Sequence, residues 1–108
     1  MTRRVLIAES DDDVRKLLAL TVRRLGYEPV GADEPGTVDA MLLEPACTVG
    51  RSVLRRFGTD APPVVCLSIY SREAGLEPAA SVAYLVKPAS STEIGDALRN
   101  VFGASPPH

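Results

Sequence analysis

A chain of 108 residues has room for one domain and not for two. Apolar residues make up 45% and charged residues 24%, a globular balance; a net charge of −2 without a basic run longer than a pair offers nucleic acid or anionic membrane no footprint. Apolar runs are too short to span a bilayer, and the opening "MTRRVLIAES" turns acidic too soon for a secretory signal.

Along the chain, "RVLIA" is a short apolar strand, and the acidic cluster "ESDDD" follows it at once. Val14, Leu17, Leu18, Thr21, Val22 and Leu25 then recur at helical spacing, with Asp11 or Asp12 as N-cap and Gly26 as stop. "YEPVGA" is a weak strand that Pro29 assigns to a sheet edge. "RSVLRRFG" is a short helix with Val53, Leu54 and Phe57 on one side, and "PPVVCLS" is a strand rich in β-branched residues. "SREAGLEPAAS" has room only for a stunted helix, since Gly75 and Pro78 interrupt it. "VAYLV" is a further strand, closed by Lys87 and Pro88. Ser90 and Glu93 have capping-box spacing ahead of a helical stripe of Ile94, Leu98, Val101 and Phe102.

The stretch between Tyr27 and Glu44 is too short for a strand, a full helix and another strand, and two readings compete. In one, the helix is lost and "VDAMLLE" is the third strand. The link from Ala32 to Ala40 then runs back along the sheet nearly extended, at about 3.3 Å per residue. In the other, "TVDAMLLE" is a short helix ended by Pro45, with Val38, Met41 and Leu42 on its apolar side, and "ACTV" is a clipped strand. The first keeps the central strand of the sheet and is preferred.

Strands that alternate with helices, most of them apolar on both faces, predict an α/β fold with a parallel sheet covered on both sides. Chemistry in such sheets gathers at the carboxyl ends of the strands. The candidates are therefore Glu9, Ser10 and Asp11 after the first strand, Glu44, Ser68, and Lys87. Carboxylates, a hydroxyl and a lysine converging there suit a phosphoryl group and a divalent metal. The one histidine, His108, ends the chain, so histidine-based catalysis is set aside. Cys47 and Cys66 fit neither a CxxC motif nor a zinc spacing and read as reduced core thiols of a cytoplasmic protein.

These segments resemble the receiver domain of two-component response regulators. "VLIAESDDDVRKLL" looks like its first strand and acidic pocket, and "DAMLLE" like the third strand with its acceptor. "VVCLS" looks like the fourth strand with its hydroxyl. "AYLVKP" looks like the fifth, carrying the switch aromatic at Tyr84 and the lysine–proline step, and is the most specific match. The resemblance implies a flavodoxin-like (CheY-like), doubly wound sheet in strand order 2-1-3-4-5, here with the second helix lost or shortened. Residues 1–103 would be the receiver domain and 104–108 a tail or the start of a linker.

Two departures shape the functional expectation. Ser10 stands where a metal-binding acid is expected, leaving Glu9 and Asp11 as the carboxylates for any metal. Glu44 stands at the acceptor position, its carboxylate about 1.5 Å further out than an aspartate's, enough to spoil in-line attack. Glu44 then substitutes for the phosphorylated state or is an inactive acceptor, and Lys87 pairs with Glu44 or Glu9. Tyr84 reads as a core or half-buried aromatic rather than a switch.

The expectation is a non-enzymatic, phosphorylation-independent receiver with no cofactor. It would act through protein contacts with a kinase, an effector or an output domain, in signalling or transcriptional regulation, without binding nucleic acid or membrane itself. A lost second helix would leave apolar sheet surface uncovered, so a homodimer is also expected. The first alternative is a receiver that still binds Mg²⁺ and accepts a phosphoryl group. The second is a small-ligand module that reuses the strand-end crevice.

Overall fold

The computed structural model describes residues 2–34, 36–70, 78 and 81–103. Five strands, β1 (Arg4–Ala8), β2 (Glu28–Gly31), β3 (Ala40–Leu43), β4 (Val64–Ser68) and β5 (Ser81–Val86), form one parallel sheet in the order β2-β1-β3-β4-β5. Helices α1 (Asp12–Arg24), α2 (Thr48–Phe57) and α3 (Ser91–Gly103) cover it, and a 3₁₀ turn, Gly58–Asp60, follows α2. This is the doubly wound, flavodoxin-like order that the resemblance implied.

The period of two along each strand sorts side chains onto two faces. Val5, Ile7, Ala40, Leu42, Val65 and Leu67 pack against Leu18 and Val22 of α1 and Ile94, Ala97 and Leu98 of α3. Leu6, Ala8, Met41, Leu43, Val64 and Cys66 face the other way, against Val53 of α2. All four residues of β3 are buried, as a central parallel strand requires.

Residues 40–43 are strand and, among the described residues, no helix stands between β2 and β3, so the alternative helix over "TVDAMLLE" is overturned. The strand is shorter than the preferred reading drew it, with Val38, Asp39 and Glu44 outside. The apolar sheet surface expected to lie bare is in fact covered. Leu6, Ala8, Met41 and Leu43 are buried, and the connector itself lays Ala32 and Val38 on them. The homodimer therefore loses the premise on which it was expected.

One helix boundary and the width of one helical stripe also differ. α2 begins at Thr48 rather than Arg51, because Cys47 caps it: the thiol sulfur accepts the Gly50 N–H at 3.2 Å. In α1, Asp11 is the N-cap, and Leu18, Thr21 and Val22 face the core while Leu17 is 62% exposed. The stripe read from the sequence was one residue too wide. In α3 the capping box forms as expected: Ser90 Oγ accepts from Glu93 N–H at 3.1 Å, and Glu93 Oε1 accepts from Ser90 N–H at 3.0 Å. The stunted helix expected over 71–81 falls largely outside the described residues, and the tail 104–108 does so wholly.

Candidate functional site

β1, β3, β4 and β5 end side by side, so the residues just beyond them share one end of the sheet. Glu9 follows β1 and is only 6% exposed. Glu44 follows β3 and is 7% exposed; its N–H donates to the Ala8 carbonyl at 3.0 Å, locking the two strand ends together. Lys87 follows β5, and its N–H donates to the carbonyl of Ser68, the last residue of β4, at 2.8 Å.

The side chains converge from these anchors. Lys87 Nζ donates to Glu9 Oε1 at 2.5 Å and lies 3.7 Å from Glu44 Oε1. The sequence left Glu44 or Glu9 as the partner of Lys87; the ammonium reaches both, the first closely and the second as a longer ion pair. The remaining carboxylate oxygens are engaged locally: Glu9 Oε2 accepts Asp11 N–H at 3.2 Å, and Glu44 Oε2 accepts Ala46 N–H at 3.4 Å. One cation between two buried carboxylates offsets the cost of burying them, and loss of that cation would leave like charges facing each other.

The other candidates are turned to local tasks. Asp11 is exposed, and its Oδ1 accepts the N–H groups of Asp13 and Val14, each at 3.0 Å. Ser10 is exposed. Ser68 is fully buried, and its Oγ accepts Tyr70 N–H at 3.1 Å. Tyr84 is half-buried against the α2-side core, and its hydroxyl donates to the Tyr70 carbonyl at 2.8 Å.

These residues do not fit Mg²⁺. That ion wants oxygen ligands in near-ideal octahedral geometry. Here Glu9 and Glu44 are committed to an ammonium, and the Asp11 carboxylate points into the first turn of α1. Among the described residues no three His, Cys, Asp or Glu side chains are grouped to hold a metal.

Two residues that position Glu44 escaped the sequence reading. The Glu44 carbonyl accepts from Cys47 N–H at 3.4 Å and from the Cys47 thiol at 3.3 Å. A Cβ on Gly50 would lie 2.0 Å from that same oxygen, so α2 sits directly on the Glu44 backbone. A glycine in the first turn of an otherwise glycine-free helix was the signal; a thiol in the capping position obscured it.

Comparison with known proteins places the fold. No family model matches the chain, and no curated protein matches it. Solved structures do. A response regulator receiver protein from Burkholderia phymatum shares 21% identity over 99% of this chain and 100% of its own, with a TM-score of 0.76. A sensor protein from Polaromonas sp. JS666 shares 24% identity over 94% of this chain and 97% of its own, at 0.75. Response regulator protein TrrA from Thermotoga maritima, solved in complex with Mg²⁺ and BeF, shares 23% identity over 93% of this chain and 99% of its own, at 0.72. At such identities the likeness is one of fold, and the fold is that of CheY-like receiver domains.

Proposed function

We propose that the chain is a receiver-type signalling module, non-enzymatic and without cofactor, that works independently of phosphorylation and passes its signal through protein contacts in the cytoplasm. The observation that carries this reading is Lys87 bridging Glu9 and Glu44. Receiver chemistry needs free carboxylates for a metal and an aspartate in line with the phosphoryl donor. Here the carboxylates are glutamates already engaged by the lysine, so the site resembles one that has supplied its own occupant.

Neither nucleic acid nor membrane is a partner in this reading. A kinase, an effector, an output domain or a second copy would seat on exposed apolar side chains instead. Leu17, Leu20 and Ile69 offer such contacts, as do Tyr70, Val82 and Val86. No helix among the described residues is long and apolar enough to cross a membrane.

The test is intact mass after incubation with acetyl phosphate and Mg²⁺, with Glu44→Asp alongside. The expected result is no phosphoryl adduct on the unaltered protein. An adduct there would overturn the proposal and restore a working acceptor. An adduct on Glu44→Asp alone would locate the loss of acceptor function at Glu44.

A further inference from the structure

Between β2 and β3, Ala32 and Val38 cover the sheet face where a helix is missing, and the limb of residues 36–39 is held at one place. Arg4 Nη1 donates to the Thr37 carbonyl at 2.7 Å, and Arg4 Nε lies 3.7 Å from Glu28 Oε2 on β2. The Arg4 backbone holds Asp39 beside it: Asp39 N–H donates to the Arg4 carbonyl at 2.8 Å, and Arg4 N–H donates to the side-chain Oδ2 of Asp39 at 2.8 Å. Gly36 is shaped to this seat. Its φ is +108°, which glycine adopts without strain, and a Cβ there would lie 2.6 Å from Arg4 Nη1.

Beyond that seat little holds the limb down. Gly36, Thr37 and Asp39 are exposed, and Val38 alone of the four packs on the apolar cluster that contains Leu6, Ala8 and Met41. Segments with few buried contacts open locally at free energies well below global unfolding. We infer that residues 36–39 are a latch: they open as a unit, with the Arg4 guanidinium as the catch, and lift Val38 from the α2-side face of the sheet while the Lys87 centre stays closed.

Native-state amide exchange of the whole chain tests this at three protected amides. Asp39 reports the limb, Glu44 the site and Ile94 the start of α3, each with a backbone acceptor. Arg4→Ala removes the guanidinium and keeps both bonds that the Arg4 backbone makes to Asp39. It should speed exchange at Asp39 on the order of tenfold, the effect of one charge-assisted hydrogen bond, with Glu44 and Ile94 unchanged. Gly36→Ala keeps the arginine but crowds its seat, and should give the same local rise. An unchanged Asp39 amide in either variant overturns the inference. So does an equal rise at all three positions, which reports a loss of global stability alone.

Discussion

Gly50 and Glu44 are in contact through the backbone: a methyl group on Gly50 would stand 2.0 Å from the carbonyl oxygen of Glu44. That closeness sets the first turn of α2 on the end of β3 and fixes where the Glu44 side chain starts. An alanine in place of a helical glycine ordinarily stabilises by about 1 kcal/mol. Here the sign should reverse. Gly50→Ala must push α2 off the strand end, and overpacking of this kind costs about 1–3 kcal/mol. Urea unfolding with an unchanged m-value would measure it, and a gain in stability would show that the contact yields easily.

The central charge arrangement makes a second prediction. Lys87→Met leaves Glu9 and Glu44 buried without their cation, and breaking a buried pair costs about 3–5 kcal/mol. Adding Glu9→Gln to Lys87→Met removes one of the stranded carboxylates and should recover a large part of that loss. Thermal and urea unfolding of the single and double variants form the comparison. If the double variant is no more stable than the single, the lysine acts by packing its stem rather than by pairing.

How far the sequence could be read follows from which features are local. The α1 cap, the Ser90–Glu93 box and the β-branched run of β4 each depend on a few neighbouring residues; the last two stand where spacing put them, and the cap is the first of the two aspartates it offered, Asp11. The route from β2 to β3 depends on distances across the sheet. It was decided only by the need for a central strand, and spacing did not show that Ala32 and Val38 would cover the face left by the missing helix. Cys47 was read as a core thiol, although its sulfur does the work a serine or aspartate usually does at a helix start. Of the site, the convergence of Glu9, Glu44 and Lys87 was legible because parallel strands must end together. The division of Lys87 between two carboxylates depends on rotamers, which no spacing encodes.

A third prediction separates the sheet core beneath α1 from the outer face of that helix. Leu42 is fully buried at the centre of the sheet, beneath α1 and α3, whereas Leu17 lies outside the buried arc. Leu42→Ala should cost about 2–5 kcal/mol, the usual range for a buried leucine. Leu17→Ala should shift stability by no more than about 0.5 kcal/mol, as surface changes do. A cost at Leu17 comparable with that at Leu42 would mean that α1 packs with a different face inward.

The last prediction concerns Asp11, which can be read as a surviving metal ligand or as a helix cap. Its carboxylate oxygen accepts the N–H groups of Asp13 and Val14. A cap needs an oxygen there and not a charge. Asp11→Asn should therefore keep nearly all the stability, since asparagine caps as well as aspartate, while Asp11→Ala should lose about 1 kcal/mol. A metal ligand behaves differently, because an amide is a much poorer partner for Mg²⁺ than a carboxylate. Melting temperatures of the unaltered protein and both variants, each with and without millimolar Mg²⁺, distinguish the two. For a cap, Mg²⁺ leaves all three curves where they were, and only the alanine variant melts early. A stabilisation by Mg²⁺ that disappears in Asp11→Asn would make Asp11 a ligand, and with it would return the phosphoryl chemistry that the Lys87 bridge argues against.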